Sequence, residues 1–315
     1  MLRFTKNVLP LVMLCIVATH SYVAASPQEG KPVVVCTTSI LYSIVYDLAG
    51  DLIEVYMIAN PSICPAHYDV RPGDVDMISK AQLILYHGFE PWINSLIEAS
   101  NTQGVLVKIS GPWNTPDALK SRYIDVANCI EEYLNIDVSA RLNACLRSID
   151  AAASEIKARA EELKVGEVKV VCMQWLKDFV SWIGFNIVST YGPPEKLSTS
   201  DVSNLVDTCR SEEVALVIDN LQSGTAIGEY LSDELGLIHV VLTNFPYTEP
   251  NLTNFTLVMR RNAKILFEAV TVYKYRRKLT VLEARLDFWR TIGIGLSIVS
   301  IVEAVLLIYL WRRSR

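Results

Sequence analysis

Residues 33–59, VVVCTTSILYSIVYDLAGDLIEVYMIA, decide the fold. A β-branched run ends in Thr37-Thr38, a helical stretch follows, Gly50-Asp51 turns the chain, and a second β-rich run begins. Strand, helix and strand in so short a space argue for a βαβ unit and a parallel sheet. The same alternation continues outward through VDMISKAQ, LILYHG, PWINSLIEAS and VLVKIS. It returns from Glu167 in VKVVCM, LKDFVSWIG, FNIVSTYG, DVSNLVDTCRSE, VALVID, GEYLSDELG and HVVLTN. The expected architecture is α/β: two βαβ-type lobes with parallel sheets, residues 26–136 and 167–272.

Residues 137–166, DVSARLNACLRSIDAAASEIKARAEELKVG, separate the lobes. Leu142, Leu146, Ile149, Ala153, Ile156, Ala160 and Leu163 step by fours and threes along one face, which predicts one amphipathic helix. Asp137 or Ser139 caps it and Gly166 stops it. Residues 138–164 would make a rod of about 40 Å at ~1.5 Å per residue, long enough to run along both lobes and hold them nearly fixed. After the second lobe, residues 257–290 continue without Pro or Gly, the last domain helix running into a stalk over 273–290.

The ends of the chain place it. Residues 1–25 carry Arg3 and Lys6, a short apolar run and the small residues Ala24 and Ala25, the pattern of a secretory signal peptide. Residues 291–311, TIGIGLSIVSIVEAVLLIYLW, are long and apolar enough to cross a bilayer, and Arg312, Arg313 and Arg315 in a tail over 312–315 orient that tail inward. The expectation is a single-pass C-terminal anchor with the main domain outside the cytoplasm. Glu303 inside that span costs about 2.5–3.5 kcal/mol on insertion scales, which invites a partner helix.

Across 315 residues the net charge is −5, and no basic patch suits nucleic acid. Cys36, Cys64, Cys129, Cys145, Cys172 and Cys209 follow the signal peptide at wide, irregular spacings, so buried thiols are expected more than a disulfide framework. Asn251-Leu-Thr and Asn254-Phe-Thr are glycosylation sequons.

One further motif, ICPAHYDVRPGD at 63–74, sits between the second strand and the next helix. The order of strand with Thr-Thr, helix, Gly-Asp turn, strand, Pro-x-His-x-Tyr-acid-x-x-Pro-x-Asp loop and Gly-x-Glu-Pro-Trp element resembles the zinc/manganese family of ABC-transporter solute-binding proteins. The likeness is strongest from Pro32 to about Ile97. By that resemblance His67 matches the family's first metal-ligand histidine, Asp69 the following acid, and Pro72 and Asp74 the turn and helix cap. A loop histidine between prolines has little entropy left to lose, and neutral imidazole suits Zn, Mn or Cu.

The sequence also departs from the family. No histidine precedes the long helix in EEYLNIDVSARL; the third ligand position falls on Met173 or Gln174, and the fourth near Asn244. Residues able to refill a site are Cys64, His87 at the end of LILYH, Met173 with Gln174, and the DNLQ element that contains Asp219 and Asn220. The expected metal set is therefore His67, His87, Cys64 and Met173, with Asp69, Gln174, Asp219, Asn220 and Asn244 around the cleft. This softer set favours Zn(II) or Cu(I) over Mn(II).

The function this implies is capture of a transition-metal ion, or a small complex of one, between the lobes and its delivery to an ABC permease in the same membrane. Zinc is the expected cargo, with manganese or copper as alternatives. No enzyme is expected: Cys64 and His67 have a proline between them and no orienting acid. The alternative is the same fold with its metal site lost, acting as a sensor or interaction module or binding an organic or chelated ligand beside Trp175, Trp182, Tyr191 and Tyr68.

Overall fold

The computed structural model describes residues 30–314. The signal-peptide reading of residues 1–25 therefore lies outside the described residues. The first lobe is built from β1 (Val33–Cys36), α1 (Ser39–Ala49), β2 (Glu54–Met57), α2 (Pro72–Lys80), β3 (Leu83–Tyr86), α3 (Ile93–Ser100), β4 (Val105–Lys108) and α4 (Pro116–Leu134). Its four strands are parallel in the order β2-β1-β3-β4. Val34 and Cys36 point into one apolar cluster with Leu83 and Leu85, while Val35 and Ile84 point into another with Tyr68, Ile78 and Trp92. Burial of both faces explains why these strands are continuous Val, Ile and Leu runs.

The second lobe repeats the plan with β5 (Lys169–Met173), α6 (Lys177–Ile183), β6 (Asn186–Tyr191), α7 (Thr199–Ser211), β7 (Leu216–Asn220), α8 (Ala226–Leu235) and β8 (Ile238–Leu242). Its order, β6-β5-β7-β8, is again wholly parallel. Between the lobes runs α5 (Ser139–Glu162), which packs on α1 and α4 of the first lobe and on α6 and α9 (Phe255–Arg313) of the second. Ile149, Ala152, Ile156 and Ala160 form its fully buried stripe. The described residues from 32 onward form one compact unit.

One expectation is corrected, and one helix is new. The linking helix ends at Glu162, short of Gly166, because Lys164 adopts a left-handed conformation (φ 47°) and opens a short 3₁₀ turn, Val165–Glu167. Its start is marked by Asp137, whose side chain accepts from the Ser139 amide at 2.9 Å. The 19-residue α4 was not expected at all; it begins on Pro116 at its first turn and buries Leu119, Tyr123, Val126 and Ile130 at helical spacing. The expected continuity of the last helix holds, since α9 runs unbroken for 59 residues. All six cysteines among the described residues are free thiols, and burial pushes those of Cys129, Cys145 and Cys209 up to about 11 and that of Cys172 to about 12.

Candidate functional site

Parallel sheets bring their functional loops to the carboxyl ends of the strands. In the first lobe the loop after β2 forms a 3₁₀ turn, Pro65–His67. It is pinned from behind: Trp92 Nε1 donates to the Pro65 carbonyl at 2.8 Å, and the Tyr68 ring packs on Trp92. Asp74 Oδ2 accepts from Tyr68 Oη at 3.0 Å and from the Arg71 amide at 2.7 Å, closing the first turn of α2. Cys64 is half-buried, Asp69 is exposed, and His67 is exposed with an imidazole that makes no hydrogen bond among the described residues. The loop thus presents one imidazole on a rigid base.

His87, after β3, is a different case and corrects the expectation of a ligand. It is 4% exposed, its Nδ1 lies 3.0 Å from the Ile109 carbonyl, and its Nε2 lies 2.9 Å from Thr38 Oγ1. A carbonyl only accepts, so Nδ1 carries the proton and Nε2 accepts from the threonine hydroxyl. Burial lowers the imidazole to a pKa of about 4, against the opposing pull of Glu90. Phe89 and Trp113 stack on the ring, with centroids at 5.1 and 4.6 Å. Glu90 accepts from Thr37 Oγ1 (2.6 Å) and from the amides of His87 (2.9 Å) and Gly88 (2.7 Å), fixing the same corner. His87 is a neutral structural histidine with both nitrogens occupied.

In the second lobe, Met173 is 1% exposed and its Sδ accepts from the Trp175 amide at 3.2 Å, while Gln174 is exposed. Asp219 is fully buried: Oδ1 accepts from Tyr191 Oη (2.6 Å), and Oδ2 from the Gly228 amide (2.9 Å) and faces His239 Nε2 (2.8 Å). Its oxygens are committed within the lobe, which corrects its assignment to the cleft. Tyr191 is tied into the same network, and Trp182 lies under Lys157 of α5 in a cation–π contact at 5.2 Å. Neither therefore lines a ligand cleft as the alternative reading supposed.

Where the strand ends of the two lobes meet, side-chain amides and an indole stitch them together. Trp113 Nε1 donates to the Asn244 carbonyl at 2.9 Å, and Trp113 packs against Phe245 with centroids 5.6 Å apart. Asn114 Nδ2 and Asn244 Nδ2 both donate to the Trp175 carbonyl at 3.0 Å. Gln222 Nε2 reaches across to the Pro61 carbonyl at 2.9 Å, while its Oε1 accepts from the Asn244 amide and from Asn220 Nδ2, both at 3.2 Å. Tyr42 meets Tyr247 edge-on at 5.3 Å. The Asn114 Oδ1 atom is buried at this seam without a hydrogen-bond partner. The seam partners of Trp113 and Asn114 lie 131 and 61 residues away, and no local pattern in the sequence announces them.

Among the described residues no three His, Cys, Asp or Glu side chains converge as a metal-holding group. Of the expected set His67, His87, Cys64 and Met173, His87 is turned into its lobe by Thr38 and Ile109 and Met173 is buried with its Sδ held by the Trp175 amide, which leaves Cys64 and His67 at the first lobe's turn.

The resemblance read from the loop is met by comparison with known proteins. Residues 34–123 match the family of the periplasmic zinc-uptake complex component A. Within this zinc-uptake likeness, a metal ABC transporter substrate-binding lipoprotein, FimA of Streptococcus parasanguinis, is 36% identical over 84 residues, covering 25% of this chain and 27% of that protein. The manganese ABC transporter substrate-binding lipoprotein PsaA of Streptococcus mitis is 34% identical over 96 residues, 29% of this chain and 30% of its own length. The matched stretch thus spans under a third of these relatives. The fold likeness is wider. The periplasmic zinc-binding protein TroA of Treponema pallidum superposes with a TM-score of 0.67 over 76% of this chain and 99% of its own, at 16% identity. A manganese-bound periplasmic metal-binding protein of Candidatus Liberibacter asiaticus gives 0.64 over 76% and 100%, at 17% identity.

Proposed function

We propose that this chain is the extracytoplasmic substrate-binding component of a metal-ion ABC importer, tethered by residues 291–311 and handing its cargo to a permease in the same membrane. The observation that carries this reading is the pinned turn of the zinc-uptake-like first lobe, which holds the His67 imidazole exposed and unpartnered. An imidazole so placed costs little ordering entropy on binding a metal, and Cys64 three residues away adds a soft donor. Zinc suits imidazole and thiolate together better than manganese does. The role is binding rather than catalysis, as in the solute-binding relatives. Asn244 and the unpartnered Asn114 oxygen sit at the seam where the lobes meet, and Asp69 lies exposed two residues beyond His67.

The test exposes the full chain in detergent to Zn(II), Mn(II) and, under reducing conditions, Cu(I), and measures metal per protein by mass spectrometry beside His67→Ala. One equivalent of zinc, absent from the variant, is the expected result. A second reading, a receptor fold that no longer takes a simple ion, is favoured by the neutral Asn244 amide at the family's fourth ligand position and by its commitment to the seam. Failure of all three metals to bind a folded chain would replace the first reading with the second.

A further inference from the structure

The part of α9 beyond the lobes carries a feature that metal capture does not use. Its core-facing residues, including Asn262, Leu266 and Val270, are buried, and Tyr273 is the last to pack on the core. At about 100° per residue, a second stripe begins about half-way round the helix from Leu266. It runs Val272, Tyr275, Leu279, Leu282, Leu286 and Trp289, alternating steps of three and four. All six are exposed, from 43% at Leu282 to 66% at Tyr275. Closer to the lobe that outer face is charged, with Lys264 and Glu268. The apolar stripe therefore starts where the helix leaves the domain.

Steps of three and four sustained along a helix are the heptad a and d positions of a coiled coil. The same register continues into the apolar span as Gly293, Leu296, Ser300, Glu303, Leu307 and Leu310. Small and polar residues are the ones that let membrane helices approach and bond. Glu303, otherwise an isolated acid in lipid, falls on this stripe.

We infer that the stalk is a self-association surface, and that two copies of this chain pair in parallel along Val272–Trp289 and onward through Gly293, Ser300 and Glu303. A second copy is favoured over another partner by charge. In a parallel pair each g residue faces the e residue five positions on in its neighbour. Lys278 then meets Glu283 of the other copy on both sides, and among the described residues neither forms an ion pair within its own chain. The next such pair, Arg285 with Arg290, is like-charged, but Arg290 is already engaged by Asp287 on its own helix. Because the stripe lies opposite the face that packs on the lobes, pairing sends the two domains outward to either side. Two Glu303 side chains meet across the pair, where a protonated carboxyl on one copy donates to the carboxyl oxygen of the other in place of lipid. The stalk alone is short for a coiled coil, but confinement to one membrane raises the effective concentration and sets both copies in the same orientation.

This inference rests on the reading of residues 291–311 as a membrane anchor, and the test separates the two. The full chain is reconstituted in phosphatidylcholine vesicles at high lipid-to-protein ratio, floated on a density gradient, and treated with a short bis-maleimide. Single substitutions Leu279→Cys, Leu282→Cys and Leu286→Cys lie on the stripe; Arg277→Cys, Thr280→Cys and Ala284→Cys lie off it, and the unsubstituted chain sets the baseline from native thiols. Expected is flotation of every variant, with on-stripe positions giving at least fivefold more covalent dimer than off-stripe ones. Flotation with no dimer, or with equal yields on both faces, overturns the pairing while leaving the anchor standing. Chain that stays at the bottom of the gradient overturns the anchor, and with it the pairing as stated.

Discussion

Replacing Trp113 with alanine should unlatch the two lobes without unfolding either. The indole is half-buried, stacks on His87 of its own lobe, packs on Phe245 of the other, and donates to the Asn244 carbonyl at 2.9 Å. Loss of an aromatic pair is worth about 0.5–1.5 kcal/mol. A buried carbonyl left without its donor costs about 1–3 kcal/mol more. Opening of the seam should therefore become easier by about 1.5–4.5 kcal/mol, or roughly 10- to 1,600-fold at one decade per 1.4 kcal/mol. Hydrogen exchange of the full chain in detergent, followed by mass spectrometry, reads this in the amides of Asn244, Phe245 and Trp175, the residues that meet Trp113 and Asn114 across the seam. Trp113→Phe, which keeps the ring and loses the N–H, should fall in between. The reasoning fails if the seam amides exchange as before while β1 and β3 lose protection, because Trp113 would then serve its own lobe's core instead of the latch.

Two further outcomes follow from buried polar groups. The folded pKa of His87 is lowered from 6.5 to about 4, so its contribution to stability is present above pH 6.5 and is lost as the pH falls toward 4, amounting to about 3 kcal/mol at ~1.4 kcal/mol per unit. Denaturation midpoints measured from pH 7 to 4 should show that decline, and His87→Gln should flatten it; an unchanged slope in the variant would assign the decline to other groups. Gly228→Ala should lower the thermal midpoint, because a Cβ there would collide with Asp219 Oδ2 and the His239 ring. Displacing that pair costs about 2–4 kcal/mol, roughly 4–16 °C in a domain of this size by calorimetry. A variant melting with the parent would mean that the Asp219–His239 pair shifts freely.

The sheets were legible because strands buried on both faces must be apolar runs, and β1, β3, β5 and β7 are. The linking helix was legible from its stripe, although Lys164 ends it before Gly166. Helix α4 carries a readable start at Thr115-Pro116-Asp117 and a regular apolar face, but the Gly111-Pro112 pair just before it reads equally as the opening of a longer loop. The site was legible only as far as the loop around His67. Strand-end position alone could not tell that Thr38 and the Ile109 carbonyl satisfy both nitrogens of His87, or that Tyr191, Gly228 and His239 consume the oxygens of Asp219. Nor could it disclose the seam, since Gln222 finds Pro61 across 161 residues. Hydrophobic period reports burial; it does not say which distant polar atoms a buried polar group will meet.

Asn262 lies on α9, where its Nδ2 donates to the Thr243 carbonyl at 2.8 Å and its Oδ1 accepts the Thr243 amide at 3.3 Å. The strand end that forms the seam is thus bolted to the same helix that continues to Arg313. Because α9 also packs along α5, and α5 on α1 and α4, a force applied to the far end of that helix reaches both lobes through packed helices rather than through a hinge.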